Sequence, residues 1–288
     1  MTTGGADARA GQIVRAHDEN FPVAFLLAPR DVRADMRALY AYCRVTDDIG
    51  DSGVTTADAR LQALDAWEHG LFAAVDGHGD DPVLIGVADV IRRRGLAIDP
   101  FTRLIEANRM DQRVSRWVSH DDLLEYCTFS ATPVGRMVLG VLGIADQRRL
   151  ALSDATCTGL QLANFWQDLR RDLDERDRVY LPRNDMAIFG VVVDDLRAGS
   201  ASPALCELVR MEVGRARALL VQGTPLRALV PRRVRLDIGM FTAGGLWVCD
   251  HIAAQGYDTV TGRPAPGARG RAGMASGVIW RLMRGGRA

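Results

Sequence analysis

The residues of this chain best placed to do chemistry are acidic, and they come in pairs. In CTGLQLANFWQDLRRDLDERDRVYLP, Cys157 to Pro182, the polar residues Gln161, Asn164, Asp168 and Asp172 stand three, four and four positions apart. At about 100° per residue on a helix, those side chains fall on one narrow stripe. Leu160, Leu162, Ala163, Phe165, Trp166 and Leu169 flank it, so much of this helix should be buried. Carboxylates on a buried face need a partner. Mg²⁺ suits such a pair because it takes oxygen ligands, keeps several waters and completes its shell with substrate phosphates. Taken alone, a DxxxD reads more simply as a solvated acidic face paired with Arg170, Arg171, Arg176 and Arg178.

A second copy changes that balance. In ALYAYCRVTDDIGD, Asp47 and Asp51 again stand four apart, with Arg44 one turn before them and Asp48 beside them. Met36, Leu39, Tyr40 and Cys43 precede them at helical spacing, which puts this pair at the end of a core-facing helix. Two such helices facing each other would hold Mg²⁺ ions between them, each ion bridging a carboxylate to a diphosphate.

The elements that must position these acids are all helical. A capping cluster and apolar run over His17 to Pro29 is followed by a helix from about Asp31 to Thr46, after which Gly50, Ser52 and Gly53 relax the chain into a loop. Further helices are predicted over Thr56 to Ala74, over Pro82 to Arg94 ending at Gly95, and from Asp99-Pro100 to about Arg113, the last carrying Asp111. Asp121-Asp122 opens a helix running past Met137 and Leu142, with Pro133 and Gly135 kinking its middle, either for packing or to line a cavity. Beyond the central helix come a loop over Asn184 to Gly190, a short helical piece over Asp194 to Gly199, and long helices over Pro203 to Gln222 and Pro231 to Gln255. With no period-2 strands joined by hairpin turns, the fold class is all-α.

Composition bounds the function. The 288 residues are 48% hydrophobic and 25% charged, enough for a large core, and no clear linker divides them, so one domain over 1–288 is expected. Residues 1–12 read as disordered and 261–288 as a Gly- and Arg-rich tail, in which Gly277 to Arg284 forms a helix docking on the body or on a membrane surface. Thirty-six basic and thirty-six acidic residues cancel, so no global field argues for nucleic acid. Five scattered cysteines without a CxxC fit reduced core thiols in a cytosol. The N-terminus carries no secretory pattern, and no apolar window reaches the roughly 18–20 residues of a spanning helix. The expected location is cytoplasmic, with peripheral contact to the inner membrane left open.

From Asn20 to about Tyr257 the chain resembles the squalene/phytoene synthases, which join prenyl diphosphates head to head. YAYCRVTDDIGD looks like the family's first aspartate motif, QLANFWQDLRRDLDERDRVYLP like its second with the trailing RVYLP, and Tyr126-Cys127 like the YC between them. ENFPVAFLL, SATPVGR and NFWQD are similar to the hydroxysqualene synthase branch of hopanoid biosynthesis. Gln167 stands where the condensing branches carry a diphosphate-binding arginine, and Asn20-Phe21 and Thr132-Pro133 also depart from them.

The resemblance implies an isoprenoid synthase helical bundle with a central cavity, using Mg²⁺ held by Asp47, Asp51, Asp168 and Asp172. It implies presqualene diphosphate as substrate, with Arg44, Asp48, Asp111, Gln161 and Asn164 supporting it. Asn20, Phe21, Val134 and Phe165 are implied to contact it, in a tunnel shared with Phe25, Val138 and Leu142. Tyr126 would point into the cavity to stabilise a cation or place water, or else be an ordinary core tyrosine. Water rather than hydride would end the reaction, so no NADPH is needed. Arg178 and Tyr180 are expected to fix the end of the central helix, and His120 and His251 carry no chemistry. The competing readings are a head-to-head prenyl transferase making presqualene diphosphate, phytoene or dehydrosqualene, and a non-catalytic helical assembly factor, which two intact acid pairs argue against.

Overall fold

The computed structural model describes residues 29–53 and 55–263. The expectations for residues 1–12, for His17 to Pro29 short of its last residue and for Gly277 to Arg284, and for Asn20, Phe21 and Phe25, lie outside those residues. The described helices, in chain order, are α1 (Arg30–Gly50), α2 (Ala57–Val75), α3 (Pro82–Arg94), α4 (Asp99–Met110), α5 (His120–Ser130), α6 (Thr132–Val141) and α7 (Gln147–Gln167). They continue with α8 (Leu169–Arg176), α9 (Arg183–Phe189), α10 (Pro203–Gly223), α11 (Leu226–Leu229) and α12 (Arg235–Ala254). Among the described residues extended pairing is confined to one isolated parallel bridge, Arg116 to Val179, so the all-α expectation holds.

The chain forms two compact units. One is drawn from the chain up to Val114 and from Thr128–Leu150, the other from Ser115–Cys127 and from Ala151 onward. In the first, α1 packs on α2, α3, α4 and α6. Its core holds Leu39, Tyr42, Leu64, Leu71, Phe101, Ile105 and Leu139, and the buried Tyr42 hydroxyl donates to the Phe101 carbonyl at 3.0 Å. Asp35 on α1 is 1% exposed and takes the guanidinium groups of Arg93 and Arg94 on α3 at 2.8 and 2.7 Å. The helix ends follow local chemistry. Thr56 accepts the Ala59 N–H, Asp81 accepts the Val83 and Leu84 N–H groups, and Gly95 closes α3 at φ 62°.

In the second unit, α7 runs against α10. A Cβ on Gly223 would lie 2.0 Å from Thr156 Oγ1, so this close approach requires glycine. α10 also packs on α9 and α12.

Several boundaries differ from the sequence reading. α1 continues one turn past Thr46, so Asp47 and Asp48 are helical and Gly50 is its last residue. α4 stops at Met110, with Asp111 as its cap. Ser119 rather than Asp121 starts α5: its N–H donates to Asp122 Oδ2 at 2.9 Å and the Asp122 N–H returns to Ser119 Oγ at 3.2 Å. Pro133 does not kink a continuous helix. The chain breaks at Ala131 (φ −120°, ψ −54°) and proline occupies the first turn of α6, where its missing N–H is no loss. The central helix breaks at Asp168 (φ −109°, ψ 17°). Residues 183–189 are a helix, not a loop, because Pro182 starts it where a stop was expected. The long helix expected from Pro231 starts at Arg235, after the short 3-10 turn Arg232–Val234.

Candidate active site

The first acid pair is set by the meeting of α1 and α4. A Cβ on Gly50 would fall 2.0 Å from Asn108 Oδ1, so glycine at the end of α1 is what admits the Asn108 side chain. Asn108 Nδ2 then donates to Asp47 Oδ1 at 3.3 Å and to the Leu104 carbonyl at 3.1 Å. Gln112 adds donations to the carbonyls of Gly50 and Asn108 at 3.0 and 2.9 Å. Asp51 caps α1, its N–H on the Asp47 carbonyl at 2.8 Å. Arg44 pairs with Asp48 at 2.8 Å along the same helix. Asp47 keeps an open face to solvent while protein crowds its other sides. That crowding pushes its carboxyl up to about 7; the like charges of Asp51 and Asp111 add to it, and Asn108 and Arg44 oppose it.

The second pair is more enclosed. Asp168 is 5% exposed and Asp172 is 8% exposed. The break between α7 and α8 keeps them in register, because the Asp168 N–H still donates to the Asn164 carbonyl at 3.0 Å and the Asp172 N–H to that of Asp168 at 2.9 Å. Both oxygens of Asp168 are taken by Arg263, through Nε to Oδ1 and through Nη2 to Oδ2 at 3.0 Å. Arg176 donates to Asp172 Oδ1 at 3.1 Å. Burial raises the Asp172 carboxyl to about 6, with the Asp168 charge adding to it and Arg176 opposing.

The other acids of α8 behave as a solvated face. Arg170 pairs with Asp174, Arg171 with Glu175 at 3.1 Å, and Arg116 with Asp177 at 2.7 Å. Of the arginines on this face, Arg171 and Arg176 also reach Asp168 and Asp172, at 3.8 and 3.1 Å.

One turn from the second pair lies an aromatic cluster. Phe165 stacks on Tyr180 with centroids 3.7 Å apart and planes 9° apart. Tyr126, 3% exposed, contacts Trp117 at 4.6 Å, Tyr180 at 6.1 Å and Phe165 at 6.3 Å between centroids. The RVYLP segment anchors it, since the Val179 N–H donates to the Ser115 carbonyl at 3.0 Å and the Arg183 N–H to that of Trp117 at 2.9 Å.

Within the first unit, then, stand Arg44, Asp47, Asp48, Asp51 and Asp111, with Val134 on α6. Within the second stand Tyr126, Gln161, Asn164, Phe165, Asp168 and Asp172. Gln161 is half-buried and Asn164 exposed, both on α7. Sequence reasoning missed three residues. Asn108 had a readable signal, three positions before Asp111 on the same helix face, and Trp117 had none beyond its size. Arg263 is one arginine in a tail rich in them.

The donor set suits a hard cation. Among the described residues no three His, Cys, Asp or Glu side chains form a cage for a metal. The acids instead come as pairs of like charge, the arrangement Mg²⁺ occupies when water and phosphate complete its shell.

The chain is similar to several known proteins. The squalene/phytoene synthase family profile matches residues 14–271. The hydroxysqualene synthase of Rhodopseudomonas palustris is 35% identical over 244 residues, covering 84% of this chain and 81% of that protein. The phytoene synthase of Thermus thermophilus is 32% identical over 253 residues, covering 86% and 84%. The crystal structure of squalene synthase HpnC from Alicyclobacillus acidocaldarius superposes with a TM-score of 0.83 at 41% identity, covering 88% of this chain and 95% of that one.

Proposed function

Because the chain belongs to the squalene/phytoene synthase family, we propose that it converts presqualene diphosphate and water into hydroxysqualene and diphosphate. The observation that carries this reading is the second unit's layout, with a buried, like-charged acid pair one helical turn from the cluster of Tyr126, Phe165 and Tyr180. A diphosphate leaves from an acid and arginine end, and the cation left behind meets aromatic faces.

Asp47, Asp51, Asp168 and Asp172 are the residues that would hold Mg²⁺, which when bound acts as Lewis acid and template for the departing diphosphate. The chain's own groups do the rest. Asn108 fixes the rotamer of Asp47. Arg171, Arg176 and Arg263, clustered on the second pair, present guanidinium donors suited to phosphate oxygens. As the C–O bond breaks, its electron pair leaves with the diphosphate. The cyclopropylcarbinyl cation opens its ring, water adds to the resulting allylic cation, and a proton is lost. Tyr126 faces that cation with its ring and offers its hydroxyl to place the water. Gln167, buried at the end of α7, supplies no charge for a second prenyl diphosphate.

The test is to give the purified protein Mg²⁺ with either presqualene diphosphate or farnesyl diphosphate, without NADPH, and identify the lipids by mass spectrometry. Hydroxysqualene from presqualene diphosphate alone is expected. Presqualene diphosphate, phytoene or dehydrosqualene formed from simple prenyl diphosphates would instead make this chain a condensing transferase.

A further inference from the structure

Away from the acid pairs, the second unit buries a cluster the reaction does not use. Glu212 on α10 is 0% exposed and Asp185 on α9 is 7% exposed. A single guanidinium serves both, Arg215 Nη1 donating to Asp185 Oδ2 at 2.6 Å and to Glu212 Oε1 at 2.8 Å. The remaining Glu212 oxygen, Oε2, and His120 Nδ1 at the start of α5 are buried without a hydrogen-bond partner, 3.7 Å from each other. Two enclosed carboxylates against one arginine leave one negative charge over. Removing one partner of such a group is costly, whereas one added proton neutralises the set.

We propose that His120, Asp185, Glu212 and Arg215 form a proton-holding clamp, with one proton retained on Glu212 at neutral pH, that ties the start of α5 to α9 and α10 and so positions Tyr126, six residues along α5. Its catalytic consequence rests on the role read for Tyr126 above, while the clamp itself does not. The charged and titratable groups facing Glu212 are His120 from α5, Asp185 from α9 and Arg215 from its own helix, with Asp121 of α5 acting on His120.

The electrostatics agree with the geometry. Burial raises the Glu212 carboxyl to about 8, with Arg215 opposing and Asp185 adding to it, and burial together with the Arg215 charge lowers His120, favouring its neutral form against the pull of Asp185 and Asp121. A carboxyl whose folded value lies above its unfolded value of 4.5 gives stability that is complete below that value and is lost as the pH rises through about 8.

The test is the melting temperature of the full chain from about pH 5 to pH 9, for wild type, Glu212→Gln and Asp185→Asn, with circular dichroism to verify the fold. Wild type should lose stability up to about pH 8 and then level off. Glu212→Gln keeps the hydrogen-bonding shape without the titration, so it should lack the part of the fall between about pH 7 and pH 8. Asp185→Asn leaves one carboxylate for one arginine and should shift that part to lower pH. If Glu212→Gln does not fold, Asp185→Asn and wild type decide. For the catalytic consequence, kcat of wild type should decline over the same interval and that of Glu212→Gln should not, with KM little changed in both. A fall unchanged in the variants overturns the clamp. The expected stability shift with an unchanged kcat profile overturns only its link to Tyr126.

Discussion

Asp168 and Asp47, both proposed to hold Mg²⁺, stand in different surroundings. Asp168 is buried and held at both oxygens by Arg263, while Asp47 is open on one side and held by a single amide from Asn108. Replacing either by asparagine should leave the circular dichroism spectrum intact and cut turnover by roughly 10²-fold or more, the scale of losing several kcal/mol of charge stabilisation. Turnover close to wild type in either variant would remove that residue from the metal set. Asp172 supplies a pH test. Its carboxyl, raised to about 6 by burial and by Asp168, gives metal-free stability that is present below 3.8 and lost as the pH rises through about 6. Asp172→Asn should therefore flatten the stability profile over that window and raise metal-free stability at neutral pH by about 1–2 kcal/mol, read by urea denaturation. Arg263→Ala frees the oxygens of Asp168, so Mg²⁺ should bind the substrate-free variant more tightly, as calorimetry would show. Both acid pairs were legible in the sequence because an i, i+4 repeat is local. Asn108 could be read onto the face of Asp111 but not against Asp47, 61 residues away, and Arg263 meets Asp168 across 95 residues, so tertiary packing alone makes both contacts.

At the scale of elements, the ends of helices decide where the acids stand. The sequence reading stopped α1 at Thr46 because Gly50 looked like a breaker; in the fold Gly50 serves α4 by leaving room for Asn108. Gly50→Ala should consequently lower stability by about 1–3 kcal/mol through overpacking and displace Asn108 from Asp47. Unfolding by urea measures the first effect, and loss of Mg²⁺ affinity the second. Unchanged values would mean that Asn108 can retreat freely. The helices closed by local signals, such as α3 between Asp81 and Gly95, were readable in full. The breaks at Ala131 and Asp168 were not, because proline and aspartate tolerate both a kinked and a restarted helix, and packing alone selects between them.

For the whole molecule, the all-α class followed from periodicity alone, whereas the division into two units did not. Its boundaries fall beside or within helices, at Val114, Cys127 and Leu150, where no glycine- or proline-rich linker marks them. The two aspartate motifs belong to different units, and the proposed reaction uses both. Mg²⁺ with inorganic diphosphate should thus raise the melting temperature of wild type, by about 2.7 kcal/mol of stability at a hundredfold excess over Kd. Asp47→Asn and Asp168→Asn should each abolish that gain. A gain kept by one variant would mean the pairs bind separately. The most direct test of the central claim is turnover of presqualene diphosphate in ¹⁸O-labelled water, with the product weighed by mass spectrometry. One labelled oxygen in a C30 alcohol is the result this account predicts. A hydrocarbon product, or an alcohol without the label, would contradict it.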